Sequence, residues 1–90
     1  MSQSVITVIG KDRVGIVYDV AKLLAANQIN IVNISQQLMN DFFTMVILVE
    51  TSKCSKSPTE LADLFGQESE KLALQIRIQH EDIFNAMHRI

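Results

Sequence analysis

SVITVIGKDRVGIV, residues 4–17, holds the change of period on which the fold turns. Residues 4–9 are rich in β-branched side chains and apolar on both parities, which predicts a central strand, and Gly10 reads as the turn that ends it. Lys11, Asp12 and Arg13 interrupt the apolar run. From Val14 the spacing becomes helical: Val17, Val20, Ala21 and Leu24 fall on one side, Asp19 and Lys22 on the other. Asp12 is placed to cap that helix through the amide of Gly15 or its neighbour. Asn27 and Gln28 end it, since Asn tolerates the left-handed conformation of a helix terminus.

Downstream, residues 30–40 alternate. Val32, Ile34 and Leu38 share one parity and Asn33, Ser35 and Gln37 the other, as in an edge strand with one polar face. Asn40 and Asp41 predict a tight hairpin turn. Residues 42–49 (FFTMVILV) are apolar on both faces and predict a second central strand. After a polar loop, Ser57, Pro58 and Glu60 give a capping-box spacing with proline at the first helical position. Leu61, Leu64, Phe65 and Leu72 supply that helix's buried stripe; Gly66 inside it costs about 1 kcal/mol relative to alanine, so a close contact or a local break is expected there. Leu74, Ile76 and Ile78 alternate with Gln75, Arg77 and Gln79 in a fourth strand. Residues 81–90 predict a short amphipathic helix carrying Ile83, Phe84, Met87 and Ile90.

Strand, helix, strand, strand, helix, strand is the split βαβ plan. It predicts an α+β, ferredoxin-like βαββαβ fold: a four-stranded antiparallel sheet, both helices on one face, and a short C-terminal helix. Right-handed crossovers make the first and third strands central, and these are the two segments apolar on both faces. The ninety residues are expected to form a single domain, with a core at 4–80 and the terminal helix at 81–90. Because two helices cover only one face, the other needs a cover: a second copy of the sheet, or the terminal helix with Phe84, Met87 and Ile90. A homodimer is expected.

Composition narrows the function. Eight basic and ten acidic residues give a net charge of −2, with no basic stripe to follow a phosphate backbone, so a nucleic-acid partner is not expected. Cys54 is the only cysteine, which fits a reducing compartment. A strand beginning within five residues of Met1 leaves no room for a signal peptide, and no apolar run approaches the ~20 residues that span a bilayer. The expected location is the cytoplasm, without a membrane partner. His80 and His88 stand at no metal-ligand spacing, and Cys54 has no histidine near it in sequence; no metal, cofactor or catalytic residue is expected.

The run Gly10-Lys11-Asp12-Arg13-Val14-Gly15-Ile16-Val17 resembles the loop that joins the first strand to the first helix in ACT domains: an Asp or Asn, two variable residues, a glycine and an aliphatic. Ile29-Asn30-Ile31 resembles that family's Asn-Ile opening of the second strand, and Phe43-Thr44-Met45 falls near the start of its third. The resemblance covers residues 4–80. With the tail Ile83-Phe84-Asn85-Ala86-Met87 it extends to the free-standing single ACT domains of bacteria, which are similar to the modules of a glycine-cleavage regulatory protein. Val14 stands where many members have proline, Gln28 replaces a usual glycine, and Gly10 offers no side chain where some amino-acid binders present a polar one.

The resemblance implies a regulatory, non-catalytic module that binds an amino acid or related metabolite at a subunit interface and acts on a separate protein partner. It implies ligand contacts at Asp12, Arg13, Val14, Gly15 and Asn30. A helix start suits a carboxylate through its unpaired amides and dipole, and Gly15 lets a ligand or neighbouring backbone approach. Each residue also has an ordinary reading: Asp12 as a helix cap, Gly15 as a close-packing residue, Asn30 as a partner of nearby main chain. A structural interaction module without any ligand stays open beside the sensing one.

Overall fold

In a computed structural model of the chain, which describes residues 3–80, the elements are β1 (Gln3–Lys11), α1 (Ile16–Ala26), β2 (Asn30–Met39), β3 (Phe42–Glu50), α2 (Pro58–Leu72) and β4 (Leu74–His80). The strands form one antiparallel sheet in the order β2-β3-β1-β4. This is the ferredoxin-like arrangement, with the two doubly apolar strands in the middle. The expected terminal helix lies outside the described residues.

Ile6 and Val8 of β1 and Met45, Ile47 and Val49 of β3 are fully buried beneath the helices. Ile16, Val20 and Leu24 of α1 and Leu61 and Phe65 of α2 close over them, with Leu74 and Ile76 of β4. Each such side chain contributes about 1.5–3 kcal/mol by leaving water. The helical stripe of α1 therefore runs through Ile16 rather than Val17, which is 39% exposed. Ser69 fastens α2 to β4: its hydroxyl donates to the Phe65 carbonyl (2.6 Å) and accepts from the Ile76 amide (3.0 Å).

Four local expectations are corrected. β1 does not turn at Gly10 but continues to Lys11, with Gly10 paired to Leu74. A Cβ at Gly10 would meet the tip of the Leu74 side chain, which would have to shift, while the neighbouring backbone stays at ordinary contact distance. At the end of α1 it is Gln28, not Asn27, that takes the left-handed conformation (φ 57°), while the Asn27 side chain donates to the Leu23 carbonyl at 2.9 Å. Gly66 neither breaks α2 nor makes a close contact; it faces open space. In β2 the register shifts between Ile31 and Asn33, so Val32 is the extra residue of a bulge. Ile31 pairs with Val49, Ile34 with Ile47 and Leu38 with Phe43, which puts these three on the helix side of the sheet; Asn33, Ser35 and Gln37 form the other face.

The Asn40–Asp41 hairpin forms as expected, with Asn40 left-handed (φ 56°). Its end of the sheet also carries the end of β1 and the start of α1, because the Asp12 amide donates to the Asp41 carbonyl at 2.8 Å.

Candidate functional site

The loop between β1 and α1 is set by Gly15. With φ 90° it occupies the left-handed region as the N-cap of α1, and among the described residues no side chain caps the helix start. Asp12 is thus not the cap. Its carboxylate makes no hydrogen bond or ion pair among the described residues and is exposed. The cap position passes to Gly15 because a positive φ there turns the chain into the helix, leaving Asp12 outside the first turn. Close packing does not explain this glycine either, since the one atom near an added Cβ would be Arg13 Nη1, at 3.9 Å. Asp19 N–H to the Gly15 carbonyl, 2.9 Å, is the first helical bond. The amides of Ile16, Val17 and Tyr18 precede it and have no intrahelical acceptor.

Arg13 is a clasp. Its guanidinium donates to the Leu72 carbonyl at the end of α2 (3.2 Å) and to the Val14 carbonyl (3.1 Å), and pairs with Asp19 of α1 at 3.1 Å. The cation thereby meets the negative end of α2's dipole and one of its last carbonyls, which fixes the loop against both helices. The ion pair itself is half-exposed and contributes little. Val14 stands at the tip of the loop, 97% exposed.

Asn30 is elsewhere. It opens β2 and pairs with Glu50, which in turn lies across from Gln3; Asp12 follows Lys11, across from Phe42 and hence Met39. The two ends of the sheet are about 25–30 Å apart at the usual rise per strand residue. Within one chain the structure brings Asp12, Arg13, Val14 and Gly15 together and leaves Asn30 apart. Beside Asn30 it places a cleft of about 580 Å³ lined by Gln28, Ile29, Glu50, Ser52 and Lys53. Glu50 accepts from the Ser52 amide at 2.9 Å. Lys53 and Glu50 bring opposite charges to that cleft, a feature the sequence does not advertise because they belong to a loop with no motif.

Between these two ends runs β2, all ten of its residues exposed. Ile31, Ile34 and Leu38 on its helix side are 37%, 38% and 57% exposed, and Tyr18 of α1 stands out in the same layer. Among the described residues no group of three or more His, Cys, Asp or Glu side chains could hold a metal, and no helix is long and apolar enough to cross a membrane.

A family model described as the ACT domain matches residues 2–79. A UPF0237 protein of Neisseria meningitidis serogroup B is 77% identical over 90 residues, the whole of both chains. Among solved structures, an ACT domain protein from Streptococcus pneumoniae superposes with a TM-score of 0.83 at 37% identity, covering 97% of this chain and 98% of that one. A protein assigned as a glycine cleavage system transcriptional repressor superposes at 0.72 and 23% identity over 88% of this chain and 45% of that one, a likeness of fold alone.

Proposed function

The chain belongs to the ACT domain family, and on that premise we propose that it is a regulatory module holding an amino acid or related metabolite between two copies of itself. One observation carries the reading: the candidate residues stand at opposite ends of β2, and among the described residues β2 is an edge strand with exposed apolar side chains. An edge of that kind is a template for another strand. Two copies related by a two-fold axis would pair β2 antiparallel to β2. With the register centred near Ser35, Asn30 of each copy then comes beside the loop of the other. The split halves meet twice per dimer.

In that arrangement the ligand's carboxylate faces the free amides at the start of α1, where the helix dipole favours negative charge. Its ammonium faces the Asp12 carboxylate, which has no other partner among the described residues. Asn30 of the second copy bonds either charge, and the cleft at its side, with Lys53 and Glu50, bounds the ligand's side chain. Arg13 positions the loop rather than the ligand. Binding favours the paired state by its differential affinity for it, and a separate protein reads that state. The chain itself performs no catalysis, and its expected compartment is the cytoplasm.

Titration calorimetry against the twenty amino acids tests this. At least one is expected to bind, with Asp12→Asn and Asn30→Ala each weakening it by tenfold or more while the variants still sediment as dimers. Flat isotherms throughout sink the amino-acid reading, and a monomer at tens of micromolar in the ultracentrifuge sinks the two-copy site. The exposed edge of β2 also supports a second reading, an interaction module without a ligand. Flat isotherms together with a stable protein partner captured independently of any metabolite would favour it.

A further inference from the structure

The clefts at the two ends of the sheet differ in how their polar groups are engaged. Near Gly10 and Leu74 a cleft of about 430 Å³ includes Ser69, but that hydroxyl already bonds to the Phe65 carbonyl and the Ile76 amide. The cleft of about 580 Å³ beside Asn30 is different. There the side-chain amides of Gln28 and Asn30, the Ser52 hydroxyl and the Lys53 ammonium have no partner among the described residues. The Glu50 carboxylate is steadied by the Ser52 amide at 2.9 Å. Ile29 is the one apolar residue in the lining.

Gln28 lines this cleft and also a smaller one of about 290 Å³ that continues to Ser55 and Lys56. It does so from a left-handed backbone, φ 57°, a conformation that suits glycine better than a long side chain. Ala73 makes the same turn at the end of α2 with nothing beyond its Cβ. The turn alone therefore does not call for a glutamine, whereas a polar group at the cleft does.

On the two-copy reading above, we infer that the ligand carries a carboxamide side chain, as glutamine and asparagine do, and that Gln28 determines this choice. The ligand's own charged groups are held at the α1 start of one copy, and its side chain enters this cleft of the other. Glu50 and Lys53 bring one charge of each sign to the cleft. A charged side chain there meets an attraction and a repulsion that oppose each other, and it still loses water. An aliphatic side chain leaves the donors and acceptors of the lining unpaired. A carboxamide is neutral and has two ends: its amino group donates to Glu50, and its carbonyl accepts from Lys53. The Gln28 amide offers one further donor and one further acceptor to the same group.

Titration calorimetry with matched side chains tests this: glutamine against methionine, glutamate and lysine, and asparagine against leucine and aspartate. At least one carboxamide is expected to bind tenfold or more tightly than its apolar and charged counterparts. Gln28→Gly suits the left-handed backbone, so it should keep the parental stability or exceed it, and yet bind that carboxamide about tenfold more weakly, as for one lost hydrogen bond. An apolar or charged amino acid that binds as tightly as its carboxamide counterpart would overturn the inference and leave the two-copy site standing. So would a folded Gln28→Gly protein with parental affinity for the carboxamide. Flat isotherms for every amino acid would remove both.

Discussion

α1 and α2 begin in opposite ways. α2 starts with a complete capping box: the Ser57 hydroxyl accepts from the Glu60 amide at 3.2 Å, the Glu60 carboxylate accepts from the Ser57 amide at 2.9 Å, and Pro58 occupies a position where no amide is needed. α1 starts from a left-handed glycine with no side-chain cap, three residues after an aspartate whose carboxylate has no partner among the described residues. Both helices pack on the same sheet, so stability alone does not require the second arrangement. One start is sealed for folding and the other is left open at the surface, where a carboxylate can take its amides.

Substitutions at the two starts can break that contrast. The largest effect is expected at Gly15, because alanine at φ 90° meets the left-handed penalty: Gly15→Ala should lower the unfolding free energy by about 1–2 kcal/mol in urea denaturation. Equal stability would mean that the loop readily adopts another conformation. Ser57→Ala should cost about 1 kcal/mol, the usual value of a lost N-cap.

The Glu60 carboxyl is held below the usual glutamate range, first by the hydrogen bond from the Ser57 amide and then by the Ser57 side chain. A depressed carboxyl stabilises the fold above its unfolded pKa, and that stabilisation is lost as pH falls through the folded value. Stability should therefore decline below about pH 4.3, and Glu60→Gln should flatten that limb slightly. A decline of equal steepness in the variant would assign it to other carboxylates. The smallest effect is expected at Asp12. If it caps nothing, Asp12→Ala stays within about 0.5 kcal/mol of the parent, and a loss as large as that of Ser57→Ala would restore it as a cap.

Much of the fold was legible from residue patterns. The doubly apolar segments named the central strands, and Ser57, Pro58 and Glu60 named a helix start to the residue. The bulge at Val32 was hidden because alternation alone cannot show an inserted residue between apolar neighbours. The grip of Arg13 on Leu72 joins positions 59 apart, beyond any local pattern. The distance between Asp12 and Asn30 was available but missed: in this topology α1 carries the chain back to the end where β1 began, so β2 must start far from the loop. The candidate residues form one site only if two chains supply them.

Mixed dimers test that central claim most directly. In a heterodimer of one Asp12→Asn copy and one Asn30→Ala copy, a two-copy site is doubly damaged on one side and wholly intact on the other. Calorimetry with an amino acid that binds the parent should then recover parental affinity at one site per dimer, although each variant alone binds at least tenfold more weakly. No recovery in a heterodimer of confirmed composition would contradict the account, because a site contained in a single chain stays broken in both copies.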